Sequence, residues 1–563
     1  MLVYGDAQAT IAPRVALAEI AAALGDLNAS PAGLARHAAT VEQFIALAGL
    51  AQGLADVEAA AAGYDELSDA QAQLLDGLRL LAIDIDRSWR SGFARQPATE
   101  LAPLASLTAL PWPDTIVVKR CEGYAFYGTY PETFLDAARG LPADSVVIGL
   151  RSIGTGLAPL VAAAAGTRTI LTVRPTNHPF ARSITAGPAL ETAIRSWAHR
   201  PFVIVDEGPG LSGSSFGGTA DWLESLGVAP HAIIFMPSHT GDLGDRAAPV
   251  HRTRWTAADR RVRDFEQLFA PGAVMPVPDW FADITGELRD EPVDWSGGQW
   301  TAARREVATW PSREVRKYLL AGTEGRFLVK FAGLDSAARA KFARARLLHD
   351  GGFGAEPLAM RYGFVIERYV DGEPLHAVPV EHLIDYLRFR RDCLPAHARG
   401  AGLSKLRATA IHNLRLVAPA AATELAARWS EDRVDALRTA VVPVHVDARL
   451  HRWEWLNAGG RIVKTDAVDH SEAHDLVGCQ DILWDVAGAA VELLDTEADR
   501  AALAQAFVDG SPDRRDLLAL MGVCYLAFQM GWWSMSGTDA GEALGRRYRD
   551  KLIALLTDGP RCG

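Results

Sequence analysis

The sequence predicts a multidomain protein of mixed class: an α-helical N-terminal domain, an α/β domain on a parallel sheet, and an α+β two-lobed C-terminal domain. Three observations carry that expectation. Ala and Leu recur at helical spacing in RVALAEIAAALGDL and GLARHAATVEQFIALAGLAQGLADVEAAAAG. Four short apolar runs then alternate with helical stretches, the pattern of a parallel sheet covered on both faces. Beyond residue 310 a hairpin-like pair, RKYLL and RFLVKF around AGTEG, opens a third unit. At roughly 150 residues per domain, the 563-residue length accommodates three or four domains.

The boundaries follow from changes of pattern. Residues 1–112 form the helical domain, with helix starts at Ser30-Pro31 and Ser68-Asp69 and ends at Gly25 and Gly63. This region holds no chemical motif; a packing or dimerisation role is expected, with homo-oligomerisation through the helices. Residues 113–295 form the α/β domain, with strands SVVIGL (145–150), TILTV (169–173), FVIVDE (202–207) and AIIFM (232–236). A linker containing Gly-Gly and Pro follows, EPVDWSGGQWTAARREVATWPS, and residues 310–563 form the last domain.

Composition narrows the function classes. With 49% hydrophobic and 22% charged residues, the chain has ample material for buried cores. The net charge of −12 disfavours nucleic acid as the main partner. Five scattered cysteines (Cys121, Cys393, Cys479, Cys524, Cys562), none in a CxxC pair, fit a reducing cytosol rather than a disulfide framework. The N-terminus lacks signal-peptide character, and apolar runs such as LAPLVAAAAG are interrupted far short of the ~20 residues that span a bilayer. A cytoplasmic protein with no membrane partner is expected.

Ligands of parallel sheets sit beyond the carboxyl ends of the strands, which directs attention to RSIGTG, RPTNHPFAR and DEGPGLSGSSF. In VIVDEGPGLSGSSFGG a strand delivers Asp206 and Glu207 at its tip, followed by a bend of small residues and a helix. Backbone N–H groups at such a bend, with the hydroxyls of Ser212, Ser214 and Ser215, suit a phosphate. Two carboxylates beside it suit vicinal hydroxyls. The segment resembles the phosphoribosyl-diphosphate (PRPP) motif of type I phosphoribosyltransferases. The resemblance implies that Asp206 and Glu207 hold the ribose and that Ser212, Gly213, Ser214 and Ser215 cradle the 5-phosphate. It also implies that Arg151, Ser152 and Gly154 bind pyrophosphate, while Arg174, His178 and Arg182 lie on a loop closing over the leaving group. Mg²⁺ would assist the arginines in stabilising the departing diphosphate. The loop GPGLSGSS is one residue longer than the family's and carries a Pro. The run CEGYAFYGTYPETF places Tyr124, Phe126, Tyr127 and Tyr130 together, as core or as a hood over an acceptor ring.

In the last domain, Lys330 lies in RFLVKFAG, His445-x-Asp447 in VHVDARLHRWEWL and Asp466 in IVKTDAVDH. With FVIERYVDGEPL as an inter-lobe linker, this order resembles aminoglycoside phosphotransferases and choline kinase-like enzymes. The resemblance implies that Lys330 holds ATP phosphates, Asp447 accepts the proton of a substrate hydroxyl, and Asp466 binds Mg²⁺. It further implies Asp481 and Asp485 as buried anchors. Two departures stand out: Arg452 occupies the family's Asn position, and SAARAKFARARLLHD has no Glu to pair with Lys330. His470 and His474, four apart, would be zinc ligands on a helix, but the segment follows a strand and lacks apolar periodicity, so a polar loop is expected.

The expected function is a bifunctional enzyme. One site transfers a ribose-5-phosphate unit between PRPP and an unknown small acceptor, and the other phosphorylates a related hydroxyl compound with ATP. The alternative is a non-catalytic nucleotide- or PRPP-sensing scaffold, which the Arg452 and missing-Glu departures favour.

Overall fold

Apolar periodicity in the N-terminal stretch produces three helices in the computed structural model, Pro13–Ala29, Leu34–Ala62 and Asp69–Arg90. The structure describes residues 1–558 apart from 6, 97, 211, 245–246, 302–306 and 398–399. Leu211 of the GPGLSGSS bend, Cys562 and part of the expected linker therefore lie outside the described residues. Ser68 caps the third helix by accepting from the Gln71 N–H, and Gly63 ends the second in the left-handed region. Gly25 ends nothing; the first helix runs through it to Ala29.

The four apolar runs form a parallel sheet with a short fifth strand. Its order is Ile170–Val173, Val146–Leu150, Phe202–Val205, Ile233–Met236 and Asp259–Arg260. The order reverses beside Val146–Leu150, so a crevice is expected between its carboxyl end and that of Phe202–Val205. One face packs on helices Pro188–Trp197, Ser214–Ser225 and Pro249–Ala257. The other face shares a single hydrophobic core with the three N-terminal helices and helix Gly154–Ala165. Segments 1–112 and 113–295 are thus joined by one core rather than divided at Pro113. Leu34–Ala62 and Pro512–Ser534 are long and apolar enough to cross a membrane, contrary to the sequence expectation. Yet 50% and 78% of their most apolar windows are buried inside the protein.

The same core continues into a five-stranded sheet that opens the C-terminal part. The order is Val293–Asp294, Lys317–Gly322, Gly325–Phe331, Phe364–Arg368 and Pro357–Arg361, all antiparallel. The edge strand Val293–Asp294 comes from the expected linker. Helix Ser336–Asp350 covers this sheet. A second, mainly helical lobe follows around helices Val380–Cys393, Leu403–Val417, Leu483–Glu492 and Pro512–Ser534. The first residues of the chain are part of that lobe: Val3 is fully buried in it and its carbonyl accepts from the Leu476 N–H at 2.9 Å. Further ties hold the halves together. Tyr130 donates to the Tyr362 carbonyl at 2.7 Å, Tyr362 donates to Glu132 at 2.7 Å, and His37 Nε2 lies 2.6 Å from Glu132.

Candidate functional site

The strand tip at the sheet's switch point differs in part from its sequence reading. Arg151 and Arg174, expected on a diphosphate, are held by two acids of the N-terminal helices and the turn after them. Arg151 Nε donates to Asp56 at 3.0 Å and a terminal nitrogen pairs with Asp65; its side chain is 1% exposed. Arg174 Nε donates to Asp56 at 2.6 Å, and its backbone N–H donates to Asp65 at 2.7 Å. Arg182 lies on the hairpin Thr176–His178/Ala181–Ser183, donating to the Pro175 carbonyl at 3.3 Å. That hairpin covers the serine bend. The Ser212 and Ser214 hydroxyls donate to the Pro179 carbonyl at 3.2 and 3.0 Å, not into open space. Gly213 sits at φ +64°, which glycine adopts without strain, and leads into helix Ser214–Ser225, whose first turn contains Ser215. Ser152 precedes helix Gly154–Ala165, which Gly154 begins.

The two acids at this tip are half-buried and electrostatically frustrated. Burial pushes the Asp206 carboxyl up to about 7, opposed by the Glu207 N–H, which donates to it at 2.9 Å, and by Arg174. Burial, then the charges of Asp206 and Glu122, push Glu207 up to about 8. Gly123 and Thr129 hydrogen-bond to Glu207 and oppose the rise. Gly123 opens the wide helical turn Gly123–Tyr127. A Cβ there would stand 2.9 Å from the Glu207 carboxyl carbon and 2.7 Å from Ile153 Cδ1. Of the four aromatics near it, Tyr124 and Tyr130 are core, while Phe126 and Tyr127 face a cavity beside the C-terminal site.

That second site lies between the lobes. Lys330, on strand Gly325–Phe331, sits in register with Lys317 and Val365 on its neighbours and points into a cavity of about 380 Å³. Its ammonium pairs with both Asp466 and Asp469. Burial opposes the charge on Lys330, but these two carboxylates hold its pKa well above the usual lysine range. Reciprocally, and against burial, Lys330, His470 and Lys317 draw Asp466 well below the usual carboxylate range. The missing helix Glu is thereby explained: Lys330 takes its acids from the loop after strand Arg461–Lys464. The helix instead contributes Lys341, whose Nζ is 3.2 Å from Asp469. Asp466 adopts φ +55°, a strained value for a non-glycine residue and one found at functional loops.

Glu454, Asp466 and His470 bring ligand atoms within 4.8 Å of one another. Glu454 also accepts from Lys464 Nζ at 2.7 Å, and burial pushes its carboxyl up to about 7. Arg452 takes no part; it turns away to the His376 carbonyl at 2.5 Å and to Asp495. The acid that faces Asp466 is Glu454, two residues beyond Arg452. His474 diverges from His470, lying 3.1 Å from Glu122 and stacking on Tyr4, so the pair shares no helix face.

Asp447 is fully buried and does not line the cavity. Its Oδ2 accepts from the Tyr386 hydroxyl and lies 3.4 Å from Lys464 Nζ and 3.6 Å from Arg390, while Oδ1 has no hydrogen-bond partner among the described residues. Asp485 fixes this loop by accepting from the Asp447 and Ala448 N–H groups at 2.7 and 2.8 Å. Arg390 bridges both site loops, donating to the His445 carbonyl at 2.7 Å and to the Ala467 carbonyl at 2.9 Å. Asp481 is likewise buried, accepting from Val442 N–H at 2.9 Å and pairing with Arg514.

No protein-family model and no curated protein matches the chain. Solved structures do. Choline kinase LicA from Streptococcus pneumoniae is 12% identical with a TM-score of 0.36, covering 50% of this chain and 98% of its own. A choline/ethanolamine kinase family protein from Mesorhizobium loti is 17% identical with a TM-score of 0.31, covering 43% and 85%. Spectinomycin phosphotransferase APH(9)-Ia, solved with ADP and spectinomycin, is 10% identical with a TM-score of 0.34, covering 49% and 95%. At this level of similarity, chemistry has to be read from this chain's own residues.

The structure places Lys330 and Asp466, expected from the sequence, on the inter-lobe cavity and Asp447 behind it, and it adds Asp469, Glu454, Lys464, Tyr386 and Arg390, which the sequence reading did not single out. Glu454 and Lys464 carried a faint signal, since both flank the motifs already read, in RWEWL and IVKTD. Tyr386 and Arg390 lie on a helix about sixty residues upstream of Asp447, which no local pattern connects to it.

Proposed function

We propose that the protein is an ATP- and Mg²⁺-dependent phosphotransferase acting on a hydroxyl of a small molecule. The observation that carries this reading is the convergence of Lys330, Lys464, Asp466, Asp469 and Glu454 on one inter-lobe cavity. Apolar walls from Leu328, Val365 and Leu456 suit a nucleotide base, and the charged end suits its phosphates. Lys330 would exchange its carboxylate partners for phosphate oxygens. Asp466 and Glu454 offer the hard oxygen ligands that Mg²⁺ prefers, and the ion, when bound, neutralises phosphate charge during transfer. Asp447 accepts the proton of the acceptor hydroxyl in this reading, which requires the loop that buries it to open toward the cavity. Its Oδ1 is a buried acceptor without a donor, the state expected of a group whose partner arrives with substrate. The test is release of ADP from ATP·Mg²⁺ across a panel of hydroxyl compounds. Turnover that survives Asp466→Asn would overturn the proposal.

A second reading concerns the strand tip: transfer of ribose 5-phosphate from PRPP with Asp206 and Glu207 on the ribose. The two raised carboxyls at the sheet's switch point support it, because perturbed acids gather at functional sites. It requires the 176–183 hairpin to lift from Ser212 and Ser214. Isotope exchange between PRPP and labelled diphosphate tests it, with loss in Asp206→Asn expected.

A further inference from the structure

We infer that the phosphate acceptor is an anion: a hydroxyl compound that itself carries a phosphate or carboxylate group. This inference rests on the phosphotransferase reading above. A second cavity of about 290 Å³ adjoins the first across Lys330 and Asp466. It shares the charged residues Lys330, Lys341, Asp466 and Asp469 with the first cavity but not the apolar walls Leu328, Val365 and Leu456 assigned to the base. Its far wall comes partly from the segment before the C-terminal sheet. Phe126 and Tyr127, from the turn that also touches Glu207, form one side, and Arg313 and Arg316 form another.

The charge on this wall decides the class of ligand. Six lysine and arginine side chains face the cavity against three carboxylates. Four of the cations have acidic partners: Lys330 with Asp466 and Asp469, Lys341 with Asp469, Lys317 with Glu314, and Arg316 with Glu266. Among the described residues, Arg313 and Arg449 have no carboxylate within ion-pair distance, although the charge of Arg449 reaches the buried Asp475. Each guanidinium instead lies over an aromatic ring. Arg449 lies 4.0 Å over Trp532, and Arg313 lies 4.6 Å over Tyr4 while bonding the Tyr127 hydroxyl. Arg313 Nε is buried with no acceptor among the described residues. A stacked guanidinium keeps its N–H edge free, and that edge matches the paired oxygens of phosphate or carboxylate. A quaternary ammonium acceptor would meet an excess of like charge here.

The experiment uses the full chain and three probes: ribose 5-phosphate, ribose and choline. Binding is measured by calorimetry and phosphorylation by ADP release with ATP·Mg²⁺. Ribose 5-phosphate should bind about tenfold or more tightly than ribose, and choline should not bind. Arg313→Met and Arg449→Met should each weaken ribose 5-phosphate by about tenfold, with Arg313→Lys recovering part of the loss. Should the variants fold poorly, raising NaCl from about 50 to about 500 mM should weaken ribose 5-phosphate on the unmodified protein and leave ribose unaffected. Ribose or choline binding as well as ribose 5-phosphate, or binding indifferent to both salt and substitution, overturns the inference. The two readings fail separately. Phosphorylation of neutral compounds alone sinks the anionic acceptor and leaves the phosphotransferase standing, whereas anion binding without ATP·Mg²⁺ binding sinks the phosphotransferase and with it the acceptor role, leaving only an anion-binding cavity.

Discussion

The strand tip of the parallel sheet and the cleft between the C-terminal lobes look alike in sequence: each offers acids and cations at the ends of strands. In the structure they differ in who holds the cations. At the strand tip, Arg151 and Arg174 are claimed by Asp56 and Asp65, which lie about a hundred residues upstream. In the cleft, Lys330 is paired with acids of the same cavity, and Arg449 and Arg313 line the adjoining cavity over aromatic rings. A cation whose partner is a fixed element of the fold is a structural tie. A cation whose partners line the cavity can trade them for a ligand.

The largest test of that distinction is Lys330→Met. Removing the ammonium leaves Asp466 and Asp469 repelling the phosphates, and a loss of about a thousandfold in ATP-dependent phosphoryl transfer is expected. Steady-state ADP release measures it; a loss below tenfold would place the phosphate-binding role elsewhere. The mirror experiment is Arg151→Met. With its side chain 1% exposed, its loss strands a buried Asp65 carboxylate, for which about 3–5 kcal/mol of stability is the usual cost. Denaturant unfolding should show that drop. If stability holds while PRPP binding falls, Arg151 is a ligand residue after all.

What was legible in the sequence follows from how far its causes reach. The parallel strands, the hairpin around Lys330 and the Ser68 and Gly63 caps are set by residues within a few positions of one another, and all are present. Lys330, Asp466 and Asp447 could be singled out because each sits in a local motif, and the structure brings the first two to one cavity. The destiny of Arg151 was not legible, because it is decided by Asp56 on a helix that carries no motif. The same holds for Arg452, whose neighbours at His376 and Asp495 draw it out of the site, leaving Glu454 to stand opposite Asp466. The covering of Ser212 and Ser214 by Pro179 depends on how a hairpin folds back, which alternation of strands and helices does not encode.

A smaller effect probes the turn shared by both sites. Gly123 leaves room for Glu207 on one side while its neighbours Phe126 and Tyr127 wall the anion cavity on the other. In Gly123→Ala the added methyl meets Thr129 Oγ1 and Ile153 Cδ1, each at 2.7 Å. A stability loss of about 1–3 kcal/mol is expected from such overpacking. If the turn couples the two regions, affinity for ribose 5-phosphate should fall as well; an unchanged affinity would show them to be independent.

The smallest expected effect is also the one whose sign is most diagnostic. Burial raises Asp206 to about 7 in the folded protein, above the ordinary aspartate range. The folded state therefore holds this proton more tightly than the unfolded chain, and the penalty for ionising it grows as pH rises from about 4 to about 7, staying full above that. Asp206→Asn removes the buried charge and relieves its repulsion of Glu207, while giving up the attraction of Arg174. The variant should melt about 1–2 °C higher than the unmodified protein at about pH 8, and the gain should shrink to nothing near pH 4. A gain that is the same at both pH values would mean packing, not charge, is responsible. A loss at about pH 8 would mean that the carboxylate is held by Arg174 more firmly than burial opposes it, making Asp206 a structural tie of the same kind as Asp56.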